Sequence, residues 1–178
     1  MPRKSAGEIS LAVGGTCVFW DVECCPIPGG VDPDSICKKI KSAVAKKGNC
    51  GGKVSIRAYN KTIQESDSLC YAGVRLVNEE SGSIVDKMQK DILFWALENR
   101  PKPNAKNHDR PNLVVIAESV SQESDFGRTL LYLKLRNYNV IAALPKEDNV
   151  ACPYASSACL WTSLFDSGKP IYQSGSAH

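Results

Sequence analysis

The chain has 178 residues, of which 43% are hydrophobic and 23% are charged, and its net charge at pH 7 is +3. No apolar run reaches about 18 residues, which excludes a membrane-spanning helix, and the first 15 residues lack the apolar core of a secretory signal. We therefore expect a soluble, intracellular, cytoplasmic protein that does not bind membranes. The length suffices for one domain that buries its own core.

The predicted elements of the first half alternate between strand and helix. Thr16–Trp20 is a compact β-rich run that ends in a carboxylate, Asp21. Asp32 suits a helix N-cap and Pro33 the first helical position, and apolar residues then recur at helical spacing as far as Gly48. The elements that follow are a strand at residues 54–58, a helix over roughly Ile63 to Ala72, and a short strand over Val74–Val77.

The second half continues the alternation. Its strongest helix covers Ser83 to Asn99, and the continuously apolar Leu113–Ala117 is typical of a central strand covered by helices on both faces. The remaining elements are a helix over Ser124–Asn137, a strand over Tyr138–Leu144 and a last helix over Cys152–Phe165. We divide the chain into a flexible N-terminal segment (1–15), one domain (16–168) and a C-terminal tail (169–178).

This alternation predicts a three-layer α/β/α fold around a mostly parallel sheet of about five strands, in the order 3-2-1-4-5. Such sheets bind ligands at the carboxyl ends of the strands, where the strand order reverses. Asp21, Asp86 and the segment from Glu118 to Asp125 are expected at that edge. Carboxylates gathered together repel one another unless a cation lies between them, and hard oxygen ligands suit Mg²⁺ or Mn²⁺.

The eight cysteines form no C-x-x-C pair, and only two histidines accompany them. This pattern disfavours a zinc site. Cys17, Cys37 and Cys159 stand where small apolar residues belong, as reduced structural thiols do. We expect the thiols to be structural.

Several runs of the sequence resemble the NYN domain family of the PIN-like nuclease superfamily, in particular the plant group related to the meiosis regulator and messenger-RNA stability factor also called limkain. The longest run is VFWDVECCPIP at residues 18–28. The others are VSIRAY at 54–59, DILFWAL at 91–97 and LKLRNYNV at 133–140. The resemblance implies a PIN-like fold and a divalent-metal-dependent endoribonuclease that acts on single-stranded or flexible RNA.

The resemblance also implies the catalytic residues. These are Asp21, Asp86, Glu123 and Asp125, with Asp21, Asp86 and Asp125 as ligands of Mg²⁺ or Mn²⁺. Glu123 stands for an aspartate of the family, and Glu118 is a second candidate for that place. Considered separately, Asp86 and Asp125 also suit the first turns of their own helices, and Asp91 suits a hydrogen bond within the helix layer.

Two departures from the family pattern keep a second hypothesis open. Cys24 stands where the family usually has asparagine, and Asn60 and Lys61 stand where it has glycine and aspartate. An ammonium group in a metal-binding cleft would compete with the cation, so the alternative is a degenerate NYN domain that binds RNA or protein without cleavage. A phosphatase or flavodoxin-like module is disfavoured because no Gly-rich loop follows the first strand.

The expected macromolecular partner is RNA, with a homodimer or a protein partner as further possibilities. Basic residues would hold the RNA backbone, and binding would then weaken steeply with salt. The residues expected to make these contacts are Arg57, Lys61, Arg128 and Lys134.

Overall fold

The structure is a computed structural model that describes residues 15–48, 53–61, 73–121, 124–146 and 152–164. The strands in these residues are β1 (Thr16–Asp21), β2 (Val54–Asn60), β3 (Arg75–Asn78), β4 (Asn112–Ile116), β5 (Asn139–Leu144) and β6 (Ser157–Leu160). The α-helices are α1 (Pro33–Gly48), α2 (Ile84–Glu98) and α3 (Asp125–Leu135). None of the helices in this part of the chain is long and apolar enough to cross a lipid bilayer.

The six strands form one parallel sheet in the order β3-β2-β1-β4-β5-β6. The predicted order of the first five strands is confirmed, and β6 is added beside β5. β1 and β4 are neighbours at the centre, and the chain builds outward from them in opposite directions. Their carboxyl ends therefore flank the crevice where sheets of this kind bind ligands.

The helices cover both faces of the sheet, which confirms the three-layer α/β/α prediction. All six residues of β1 are buried, and their side chains point alternately to the two faces. Phe19 packs in the apolar cluster beneath α2 and α3, whereas Trp20 packs in the cluster beneath α1. The strand that ends in Asp21 is thus held from both sides.

Short polar side chains begin the helices near the predicted positions. The carboxylate of Asp32 accepts the Ser35 backbone N–H at 3.0 Å before α1. Ser83 and Ser124 cap α2 and α3 in the same way, so local hydrogen bonding sets where each helix begins. The helix predicted over residues 63–72 lies outside the described residues.

The prediction of a last helix over Cys152–Phe165 is wrong. The chain forms β6 there instead, followed by a 3₁₀ turn at Thr162–Leu164. The apolar residues of this segment recur at helical spacing, which is why the sequence predicts a helix. The edge of β5, however, has unpaired backbone N–H and C=O groups, and a strand beside it can form hydrogen bonds with them. The backbone N–H of Trp161, just after β6, donates to the Leu144 carbonyl at 2.7 Å and completes this pairing.

Buried tyrosine and cysteine side chains have raised pKa values, and we therefore expect the protein to lose stability at alkaline pH. Burial raises the pKa of the Tyr59 phenol above its usual 10.0, and a hydrogen bond to Asp91 raises it further. Burial likewise raises the pKa of the Cys17, Cys37 and Cys152 thiols above 9.0. Above pH 9 to 10 the unfolded chain loses these protons while the folded chain keeps them, so the unfolded state binds fewer protons and stability falls as pH rises.

Each such group contributes a slope of about 1.4 kcal/mol per pH unit once the pH exceeds its unfolded pKa. Urea unfolding of reduced protein between pH 8 and 10.5 measures the total slope. Tyr59→Phe should reduce the slope between pH 10 and 10.5 by roughly half to three-quarters of one such increment, which is the fraction of the unfolded phenol that is ionised there. A free energy of unfolding that stays constant over this range would contradict the prediction.

Candidate functional site

Asp21 is the last residue of β1 and lies at the centre of the sheet's carboxyl edge, with only 8% of its surface exposed. Its Oδ1 atom accepts the backbone N–H groups of Glu23 at 3.0 Å and Cys24 at 3.3 Å. Within the described residues Oδ2 makes no hydrogen bond. The turn after β1 therefore holds the carboxylate by one oxygen and leaves the other for a ligand.

Two tryptophans hold that turn from below. The indole N–H of Trp20 donates to the Cys25 carbonyl at 2.8 Å, and that of Trp161 donates to the Pro26 carbonyl at 3.2 Å. The centroids of the two rings are 5.0 Å apart. Trp161 lies 135 positions after Pro26, so no local pattern in the sequence indicates this contact.

Cys24 connects the ends of β1 and β4. Its sulfur accepts the backbone N–H of Glu118 at 3.3 Å and lies 3.7 Å from the Asp21 carbonyl oxygen. A thiol is both a weak donor and a weak acceptor, so it supplies in weaker form the two functions of an asparagine amide. Although Cys24 replaces the asparagine that is usual in the family, it still links the two sides of the crevice through a hydrogen bond.

The pKa of the Cys25 thiol, next to Cys24, is raised by the groups that surround it in the crevice. The pKa of Cys25 is raised by its contact with the Cys24 sulfur, 3.7 Å away, and by burial. The negative charges of Asp21 and Glu118 raise the same pKa further. Cys25 lies between the two sides of the crevice, because its backbone N–H donates to the Asp21 carbonyl at 3.1 Å and the neighbouring Cys24 sulfur accepts the Glu118 N–H at 3.3 Å.

Glu118 occupies the β4 side of the crevice, directly after the strand. Its Oε1 atom forms an ion pair with Lys146 at 3.0 Å, and 40% of its side chain is exposed. The sequence offered Glu118 as the second candidate for the place of Glu123. Glu123 itself lies outside the described residues.

Asp86 and Asp125 lie on neighbouring helices, each in the first turn. The side chain of Gln89 connects the two helices, because its amide donates to Thr129 Oγ1 at 2.7 Å and to the Asp125 carbonyl at 3.5 Å. The Asp125 side chain is 87% exposed and forms an ion pair with Arg128 at 3.4 Å. Both carboxylates also favour the positive ends of their helix dipoles, which is the local role that the sequence left open.

Asp91 and Glu23 have other partners. Asp91 accepts the Tyr59 hydroxyl at 2.9 Å and the Lys87 ammonium at 3.0 Å, so it joins α2 to the sheet. Glu23 accepts the backbone N–H of Lys61 at 3.0 Å. This bond brings Lys61 to the same edge of the sheet as Asp21.

The oxygen donors at this edge are of the type that Mg²⁺ and Mn²⁺ prefer. Across residues 15–48, 53–61, 73–121, 124–146 and 152–164, no group of three or more His, Cys, Asp or Glu side chains is arranged to hold a metal ion. Mg²⁺ usually keeps several waters and takes only one or two carboxylates, so the donor set fits such an ion. Asp21, with one oxygen left over, is the best placed of them.

The four basic residues expected to contact RNA divide into two pairs. Lys61 and Arg128 lie at the carboxyl edge, after β2 and in the first turn of α3. Arg57 lies in the middle of β2 with its guanidinium 5.3 Å from the Phe19 ring centroid. Lys134 donates to the carbonyls of Pro153 and Ala155, at 3.2 and 2.8 Å, and so holds the segment before β6.

Comparison with protein-family models matches the NYN domain over residues 15–160. A comparison with curated proteins finds no match to this chain. The matched range includes every strand described above and both sides of the crevice, and the sheet order is that of a PIN-like fold. The chain therefore belongs to the NYN domain family of the PIN-like nuclease superfamily.

Proposed function

We propose that this domain is a divalent-metal-dependent endoribonuclease that hydrolyses phosphodiester bonds of single-stranded or flexible RNA. The observation that carries the proposal is the buried Asp21 carboxylate at the end of the central strand, held by two backbone N–H groups with one oxygen left over. Burying a charge costs free energy unless a partner compensates it, and a cation would be that partner. Membership of a nuclease superfamily supports the same chemistry.

Asp21 would hold Mg²⁺ or Mn²⁺ through Oδ2, with Asp86, Asp125 and Glu123 as the further acidic groups of the site. When bound, the cation would make a water more acidic and offset the charge that builds on the scissile phosphate. The chain's own contribution is orientation: the turn at residues 22–25 prevents the Asp21 carboxylate from rotating. The hydrogen bond from the Glu118 backbone N–H to the Cys24 sulfur holds the end of β4 against the turn that follows β1.

Lys61 and Arg128 are the basic residues best placed to hold the RNA backbone near the crevice. Phosphate contacts of this kind carry little sequence information, so we expect binding that depends strongly on salt and weakly on sequence. Arg57 and Lys134 would contribute less, because Lys134 already donates to two carbonyls. The run VFWDVECCPIP at residues 18–28 further supports placing the domain in the plant, limkain-related group.

A second candidate is an NYN domain that binds RNA or protein without cleaving it. The ion pair between Asp125 and Arg128 favours it, since a neighbouring guanidinium competes with a cation for the carboxylate. Lys61 at the carboxyl edge favours it for the same reason. The two candidates differ in whether the RNA is cleaved when the protein is supplied with a divalent metal ion.

The deciding experiment incubates purified protein with end-labelled single-stranded RNA in Mg²⁺, Mn²⁺ or EDTA, with a fully paired duplex of the same sequence as control. We expect internal cleavage of the single strand with either metal, none with EDTA, and little cleavage of the duplex. RNA that is retained in a binding assay but stays intact with saturating metal would support the binding module instead. Cleavage that persists in EDTA would contradict the metal dependence.

A further inference from the structure

The described residues expose five large hydrophobic side chains, and all five lie on the outer surface of α2 and α3. Leu93, Phe94 and Leu97 are on α2, exposed by 40%, 66% and 58%. Tyr132 and Leu135 are on α3, exposed by 51% and 73%. A group of apolar side chains on one surface of a helix layer is typical of an interaction site.

The charges along α2 indicate what covers this surface. Lys90, Phe94 and Glu98 follow one another at intervals of four residues and form one ridge of the helix. Each step advances by about 6 Å along the axis and about 40° around it, so the three side chains share one exposed arc. Phe94 lies midway between a positive and a negative charge, and neither Lys90 nor Glu98 has an ion-pair partner in the described part of the chain.

We propose that the α2 part of this surface, formed by Leu93, Phe94 and Leu97, binds a second copy of the chain, with the two α2 helices antiparallel and crossing at Phe94. In a two-fold dimer, residue i contacts residue j of the partner and j contacts i. Crossing at Phe94 places Lys90 of each copy opposite Glu98 of the other, which forms two equivalent ion pairs around an aromatic centre. Ridges at four-residue spacing interdigitate in the commonest packing of two helices.

The ridge favours a second copy over an unrelated partner because its charge pattern is complementary to itself. An unrelated partner would need an acidic residue opposite Lys90, an apolar residue opposite Phe94 and a basic residue opposite Glu98. A second copy in the antiparallel arrangement supplies all three by symmetry. Leu93 and Leu97 lie together on one side of Phe94, about 100° and about 60° from it around the helix axis, and extend the apolar surface there. The interface is small, so we expect a weak dimer that depends on protein concentration.

Sedimentation equilibrium over a concentration series tests the proposal with a charge-exchange set. Lys90→Glu and Glu98→Lys, made singly, each replace two attractive contacts with two repulsive ones, so the dimer dissociation constant should rise about tenfold. The double variant Lys90→Glu with Glu98→Lys restores opposite charges across the interface. Its dissociation constant should return to within about threefold of the wild type.

Leu135→Lys is the matched control, because it removes an exposed apolar side chain from α3 away from the α2 crossing, and it should change the dissociation constant by less than about threefold. The wild type remaining monomeric up to about 1 mM would overturn the proposal. So would a double variant that associates no better than the single variants while circular dichroism shows all three folded. The readout is mass and needs no cleavage, so the result does not depend on the proposed nuclease activity.

Discussion

Asp21→Asn is expected to lower the rate of RNA cleavage by at least about a hundredfold, because the interaction of a cation with the reacting phosphate is worth several kcal/mol and each 1.4 kcal/mol is a factor of ten. The asparagine side chain keeps the shape of the carboxylate and an oxygen that accepts the N–H groups of Glu23 and Cys24. It removes only the negative charge. The measurement is the initial rate of cleavage at saturating Mg²⁺ and Mn²⁺, with the thermal midpoint of each protein recorded beside it.

Asp109→Asn is the matched control for that experiment. Asp109 is exposed in the 3₁₀ turn before β4, at the opposite edge of the sheet, so the same chemical change there should leave the rate within about twofold. Glu118→Gln tests the other side of the crevice and should give an intermediate loss. If Asp21→Asn keeps the full metal-dependent rate while folded, the carboxylate is not in the site. If wild type and variant are equally inert, the binding module is the better proposal.

Trp20→Ala is expected to lower the free energy of unfolding by about 4 kcal/mol. Trp20 is fully buried on the α1 side of β1, packs against Trp161 with the two ring planes tilted by 44°, and donates to the Cys25 carbonyl. Removing the ring leaves a cavity that the flanking strands cannot close, and it leaves that buried carbonyl without its donor. Urea unfolding followed by far-UV circular dichroism measures the change without relying on tryptophan fluorescence.

Trp20→Phe separates the two contributions to this effect. It keeps most of the apolar volume and removes the indole N–H, so we expect a loss of about 1–2 kcal/mol. Leu135→Ala, at a side chain 73% exposed, should change the free energy of unfolding by no more than about 0.5 kcal/mol. A loss below about 1 kcal/mol for Trp20→Ala would contradict the packing of the two indoles under the turn.

The order of the central strands could be predicted because its signals are local. Apolar runs such as Leu113–Ala117 mark buried strands, and Asp32 and Ser83 mark helix starts through bonds to residues three positions away. Strands that alternate with helices then have few ways to form a parallel sheet with right-handed crossovers. The same rule places Asp21 at the edge where ligands bind and requires no knowledge of side-chain contacts.

The partners of the acidic residues could not be predicted, because they are separated from them in sequence or depend on side-chain direction. Asp91 is bonded to Tyr59, 32 positions earlier, and Cys24 to the backbone of Glu118, 94 positions later. Periodicity identifies which face of an element is apolar, but it does not indicate which element covers that face. Glu118 consequently ranked below Glu123 in the sequence, although it lies beside Cys24 in the structure.

The sequence by itself determined the fold class, the strand order from β3 to β5 and the position of Asp21, since each depends on local propensity and on the restricted topology of parallel sheets. Only the tertiary structure decided the state of residues 152–164, where helical spacing yields to the unpaired edge of β5. It alone also decided which carboxylates share the crevice. Both decisions depend on backbone groups and side chains brought together from distant parts of the chain, whose free energy no local pattern contains.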